Sequence, residues 1–144
     1  MKLLIKSLIV GLTLVGGVAV AKEGVQDPTV KARMDLMSTV GMSVKVLGDM
    51  ATDKAPFDAT AALAAQEALV AASADIAAKF EPQATDPVSE AKPEIWSNWD
   101  DFVAKGEALN VAAEAIDASS LDGVKAGMAG VGPTCRACHS MYRM

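Results

Sequence analysis

The chain has 144 residues, 51% of them hydrophobic and only 4% aromatic, with 13 basic against 18 acidic side chains and a formal charge of −5. That size suits one core, and an acidic chain without basic runs gives no footing for nucleic acid or an anionic membrane surface, so by charge a basic or neutral partner fits it better. Two cysteines and one histidine cannot fill a zinc site unless an isolated carboxylate completes the set.

Lys2 and Lys6 precede an apolar run from Ser7 to Ala21 that closes on Ala19-Val20-Ala21, after which Lys22-Glu23-Gly24 turns polar. This is the pattern of a cleaved secretory signal covering 1–21, too short for the roughly 20 apolar residues of a spanning helix. The expected mature domain is 22–144, periplasmic, with no membrane insertion after cleavage. Losing Lys2 and Lys6 makes it more acidic still.

Asp27-Pro28 opens the first helix, with Asp as N-cap and Pro at the first helical position, where its missing N–H costs nothing. Val30, Met34, Met37, Gly41, Val44 and Gly48 recur at intervals of four and three, which predicts an inward seam ending near Met50. Residues 51–57 turn the chain, and Asp58 caps an alanine-rich helix whose larger apolar residues include Leu63, Leu69, Ile76 and Phe80. Pro82, Pro87 and Pro93 mark 81–93 as the one long connection.

The third helix follows Pro93, with Ile95, Trp99, Phe102, Gly106, Leu109, Ala113 and Ile116 in an unbroken four-three series and Trp96 flanking it. After a joint at 118–120, Leu121, Val124, Met128, Val131, Cys135, Cys138 and Tyr142 continue the rhythm in a fourth. The expected fold is all-α, an up-down-up-down four-helix bundle. Gly123, Gly127, Gly130, Gly132 and Pro133 oppose a regular last helix. Two expectations follow: a frayed or kinked helix, or small residues that make room for a ligand and a helix that orders fully only when the ligand is attached.

Within that last helix stands Cys135-Arg136-Ala137-Cys138-His139. The C-x-x-C-H spacing is that of covalent c-type haem attachment, in which two thiols add across the porphyrin vinyl groups and the adjacent imidazole reaches iron. On a helix Cys135 and Cys138 lie one turn apart on one face, with His139 a turn beyond Cys135. A thioredoxin-like redox pair would need a βαβ setting that the sequence lacks, and a structural disulfide would leave His139 unexplained. With both cysteines on the apolar seam, the porphyrin is expected inside the bundle.

With no second His, the sixth position on iron falls to Met, Lys, an exogenous ligand, or nothing. An antiparallel first helix would bring Met34 and Met37 beside the His139 end of the last, although Met is also a common gap-filler. Arg33 is a natural bidentate partner for a propionate; Arg136 and Arg143 have weaker claims.

The chain resembles the cytochrome c-prime family over nearly all of the expected mature region. The carrying pieces are Arg33-Met34-Asp35-Leu36-Met37, Ala55-Pro56-Phe57-Asp58, Lys92-Pro93-Glu94-Ile95-Trp96 with Phe102, and Gly132 to Arg143 around the pentad. The resemblance implies one haem c per chain on Cys135 and Cys138, His139 as proximal ligand, Arg33 near a propionate and Met37 at the distal position. It also implies two branches. In one, Met ligates iron in a closed electron carrier; in the other, iron is five-coordinate and small gases such as NO and CO bind. Family members often dimerise through their first two helices, and the alanine-rich second helix permits a homodimer.

The favoured expectation is a periplasmic one-electron carrier with His139 and Met37 as axial ligands, serving redox partner proteins. The rival is a gas-binding protein in which Met37, Met34 and Leu36 shape the distal pocket. An enzyme is not expected, since no nucleophile-base pair or metal-ligand cluster is visible.

Overall fold

A computed structural model describes residues 24–144; the expected leader, 1–21, lies outside them. The described residues form six helices: α1 (Pro28–Ala51), α2 (Ala59–Ala74), α3 (Ile76–Phe80), α4 (Glu94–Ser97), α5 (Trp99–Glu114) and α6 (Leu121–Tyr142). These build four rods, because α2 and α3 meet at Asp75 and α4 and α5 meet at Asn98. Each rod packs on the next, and α6 closes against α1, giving the four-helix bundle expected from the sequence.

The helix starts are set locally. The Asp27 carboxylate accepts from the N–H groups of Thr29 and Val30, that of Asp58 accepts from Ala61, and the Ser120 hydroxyl accepts from Gly123. Each cap satisfies amides that the first turn leaves without a partner. At the α1–α2 turn Asp53 takes φ 57, the left-handed region that Asp tolerates better than most residues, and its carboxylate pairs with Lys125 of α6 at 3.1 Å. Gly48 lies near Met128 at the same end. The start of α1 therefore sits beside the end of α6, the antiparallel pairing that the sequence required.

The α5 and α6 seams match expectation: Ile95, Phe102, Gly106, Leu109, Ala113 and Ile116 are buried, as are Val124, Val131 and Tyr142. Each fully buried aliphatic side chain contributes about 1.5–3 kcal/mol. In α2 the expectation holds for Leu69 but not for Leu63, which is half exposed; Ala62, Ala65 and Ala72 form the inward face instead. Close approach across these alanines is bridged by polar links. Asn110 donates to the Val70 carbonyl and the Ser73 hydroxyl, and the Gln66 amide donates to the Ala113 and Ile116 carbonyls at the end of α5.

In α1 the buried face is Val30, Arg33, Val40, Ser43, Leu47 and Met50. The expected seam through Met34 and Gly41 is thus displaced, since Gly41 is exposed and Met34 partly so. The reason is that Met34, Met37, Gly41 and Val44 border a cavity, which they share with Val30, Arg33 and Val40 of the buried face.

Neither a frayed end nor room for a ligand describes the glycines at the start of α6. A Cβ at Gly123 would fall 2.3 Å from the Asp117 carbonyl oxygen, and one at Gly127 would fall 2.6 Å from Cγ1 of Ile116. Those two glycines let α6 fold back tightly on the segment it leaves. Helix α6 runs unbroken through Pro133. The carbonyl that Pro133 cannot serve belongs to Ala129, an exposed residue, where water can take the place of the missing donor.

Candidate haem site

Between α1, α5, α6 and the 81–93 connection lies a cavity of about 610 Å³, within the range of small-molecule and cofactor sites. Met34, Met37, Gly41 and Val44 line it from α1; Phe102, Lys105, Gly106 and Leu109 from α5; and Cys135, Cys138, His139 and Tyr142 from α6. Val88, Glu90 and Ala91 supply the remaining wall. The pentad and the displaced α1 stripe therefore face one apolar space. Leu36, expected beside the methionines there, instead packs against the core outside that lining.

Both thiols are free and half-buried. Burial pushes each thiol up from its usual range, outweighing the opposing pull of Arg136 on Cys135 and of Lys105 on Cys138. A thiol-disulfide oxidoreductase needs the opposite, a cysteine poised toward thiolate. An apolar thioether suits this environment, and the two sulfur positions, the adjacent imidazole and the apolar walls fit haem c. Among the described residues no group of three or more Cys, His, Asp or Glu is gathered to hold a bare metal ion.

His139 stands at the rim of the cavity with an exposed side chain. Partial burial lowers its basicity, Arg143 adds to this, and Glu90 opposes it. A neutral imidazole is the form that ligates metal.

Arg33 is buried, and it serves the fold before any ligand. Its Nε donates to the Lys79 carbonyl at 3.2 Å, one terminal nitrogen to the Ala84 carbonyl at 3.1 Å, and the other to the Pro82 carbonyl. The guanidinium also lies 4.9 Å from the Trp96 ring centroid and 5.4 Å from that of Phe80, within cation–π range. Three of five N–H groups hold the end of α3 and the start of the 81–93 connection, leaving two for a ligand at the cavity edge. Desolvation pushes the guanidinium pKa down, and Asp27 partly offsets this.

That connection is fastened at two further points. The Asp86 carboxylate accepts from the N–H groups of Gln26 at 2.7 Å and Asp27 at 3.0 Å. At its far end Ala91 pairs antiparallel with Arg143, the Lys92 N–H donates to the Tyr142 carbonyl, and the Met144 N–H donates to the Glu90 carbonyl. Arg143 closes the arrangement with an ion pair to Glu90, its Nε 2.7 Å from the carboxylate. Sequence reasoning missed Asp86, Glu90 and Lys105. For Lys105 the signal was its place between Phe102 and Gly106 on the inward face and its i,i+4 relation to Asp101; for Asp86 and Glu90 there was none.

A four-helix bundle with free cysteines and a histidine in C-x-x-C-H spacing at an apolar cavity defines a class of covalent haem proteins. The family model described as Cytochrome C' matches residues 28–143, and the chain belongs to that family. Cytochrome c-556 of Agrobacterium tumefaciens (strain apple 185) is 35% identical over 121 residues, covering 78% of this chain and 92% of the relative. Cytochrome c-554 of Cereibacter sphaeroides is 31% identical, covering 96% of both chains. Among solved structures, cytochrome c' from Rhodobacter spheriodes superposes with a TM-score of 0.74 at 32% identity, over 81% of this chain and 95% of the other. The cofactor is haem c, bound covalently.

Proposed function

We propose that the protein is a periplasmic one-electron carrier with His139 and Met37 as the axial ligands. The observation that carries this reading is that Met37 and His139 border the same cavity from two antiparallel helices, with the two cysteines beside His139. Haem, when bound, supplies one-electron ferric/ferrous chemistry. Cys135 and Cys138 would fasten it, His139 would supply a nitrogen ligand and Met37 a thioether that would favour the ferrous state. Phe102, Leu109 and Val44 exclude water. The two N–H groups of Arg33 not used by backbone carbonyls suit a propionate.

Export and removal of 1–21 belong to the same reading, with 22–144 as the mature domain. No described helix is long and apolar enough to cross a membrane. Exposed Met42, Val46 and Leu63 on α1 and α2 are consistent with a homodimer, and redox partner proteins are the expected clients rather than substrates of an enzyme.

A second reading, a gas-binding protein with Met37 only lining the distal side, is favoured by likeness to a solved nitric oxide complex of an Alcaligenes xylosoxidans cytochrome c prime mutant, 31% identical with a TM-score of 0.71. Absorption spectra of ferric and ferrous holoprotein divide the two. The carrier reading expects six-coordinate low-spin iron that resists CO, and conversion to a five-coordinate, CO-binding form in Met37→Ala. Unchanged spectra in that variant would remove Met37 from the ligand set.

A further inference from the structure

All 18 acidic residues of the chain precede Gly123, while the segment from Gly123 onward carries Lys125, Arg136 and Arg143 and no Asp or Glu. The acidic character inferred from composition is therefore a property of the chain ahead of Gly123, and within α6 only Asp122, in its first turn, is acidic. At the haem end of α6 the outward side chains are Arg136, His139, Ser140 and Arg143, which with Met144 border a shallow surface depression. Met141 is 48% exposed and Met144 72% exposed. Arg136 is exposed and makes no ion pair among the described residues, and Lys92 is joined to this surface through its backbone bond to Tyr142. Glu90, ion-paired with Arg143, and Asp101, bonded to the Tyr142 phenol and paired with Lys105, are the acidic residues joined to this helix end.

We infer that this face, Arg136, His139, Met141, Arg143 and Met144, is the docking surface for an acidic redox partner, contrary to the basic or neutral partner that net charge suggests. The inference rests on the electron-carrier reading. Cys135, Cys138 and His139, the residues that would hold the cofactor, stand on the same end of α6 as this face. Exposed methionines supply an adaptable apolar centre, and a charged rim steers encounter and sets orientation more than it adds affinity.

Ionic strength reads the local sign of charge, because screening acts over about 10 Å at 0.1 M salt, less than the width of the bundle. Ferrous holoprotein is oxidised in a stopped-flow instrument by ferricyanide, an anion, and separately by tris(phenanthroline)cobalt(III), a cation. The expected result is a ferricyanide rate that falls, on the order of 2-fold, as salt is raised from about 100 mM to about 500 mM, with the cobalt complex changing in the opposite direction. Arg136→Glu, at an exposed and unpaired position, is expected to invert both trends. A wild-type ferricyanide rate that rises with salt, as the overall negative charge alone dictates, would overturn the proposal.

A binding readout is independent of electron transfer. On adding a ten-residue poly-aspartate peptide, amide chemical shifts are expected to move in residues 136–144 and to stay still in Arg136→Glu; shifts centred on Lys31, Lys45 or Lys79 would place the basic surface elsewhere and refute it. A five-coordinate spectrum would remove the axial role of Met37 and leave the sign of these salt trends untouched, so the two readings fail separately.

Discussion

The phenol of Tyr142 donates to the carboxylate of Asp101 at 2.5 Å, from the last turn of α6 to the first turn of α5. The Tyr142 ring also stands edge-on to Phe102, 5.4 Å between centroids. The bond to a carboxylate, with burial and the carboxylate's charge added, pushes Tyr142 up to about 12 from an ordinary 10.0. Because the folded value is the raised one, the stabilisation is complete below pH 10 and is lost as pH climbs through about 12. With one tyrosine in the chain, labelling its Cζ for NMR follows this titration without ambiguity. Asp101→Asn is expected to bring the midpoint back toward the ordinary phenol value, and an unmoved midpoint would mean the bond does not form.

Removing the Arg33 guanidinium in Arg33→Met leaves the carbonyls of Lys79, Pro82 and Ala84 without their donor. A loss of about 3 kcal/mol or more is expected in urea unfolding. Arg33→Lys distinguishes structure from ligand binding: one ammonium serves a propionate well but cannot span three carbonyls, so it too is expected to be destabilised. Wild-type stability in that variant would assign Arg33 to the ligand alone.

Asp86 carries a pH signature of its own. The backbone N–H groups of Asp27, Val88 and Gln26 hold its carboxyl below the usual value of 3.8. The folded value is the depressed one, so its contribution is present above that ordinary range and disappears as pH falls through the lower folded value. Hydrogen exchange at Gln26 and Asp27 should accelerate in Asp86→Asn near neutral pH and converge with wild type only in strong acid; identical exchange at neutral pH would contradict the anchoring role.

Two glycines of α6 should respond oppositely to alanine. At Gly127 the new methyl meets Ile116, including its backbone Cα at 2.9 Å, whereas at Gly130 nothing lies within 4 Å. Gly127→Ala is expected to cost about 1–3 kcal/mol through overpacking. Gly130→Ala is expected to stabilise by up to about 1 kcal/mol through lower chain entropy and better helix propensity. Thermal melts of the two holoproteins check both signs.

Replacing both thiols, Cys135→Ala with Cys138→Ala, is expected to abolish covalent haem while leaving the apolar cavity in place. Mass spectrometry of the denatured chain gives the answer, and haem retained after denaturation would refute the attachment assigned to these residues.

What was legible in the sequence was whatever is local or periodic. Asp27-Pro28 and Asp58 announce their helices because a cap acts within three residues, and the α5 and α6 seams repeat faithfully because one face of each points into the bundle, toward protein or toward the cavity. The pentad was legible because its chemistry fixes its spacing. In helix α1 the expected seam through Val30, Met34, Met37, Gly41 and Val44 faces the cavity, and what the pattern did not show is that Arg33 and Ser43, polar residues that hydropathy assigns to the surface, are buried beside it. The anchors of 81–93 were invisible because Asp86, Ala91 and Lys92 meet their partners through backbone amides and carbonyls 50 to 60 residues away, where side-chain pattern carries no trace.

The links made by α6 reach far back along the chain: Tyr142 to Asp101, Arg143 to Glu90, Lys125 to Asp53. With α6 removed, buried Val124, Val131 and Tyr142 would leave the bundle together, so a chain cut ahead of Leu121 would bare one side of the remaining rods and is expected to self-associate.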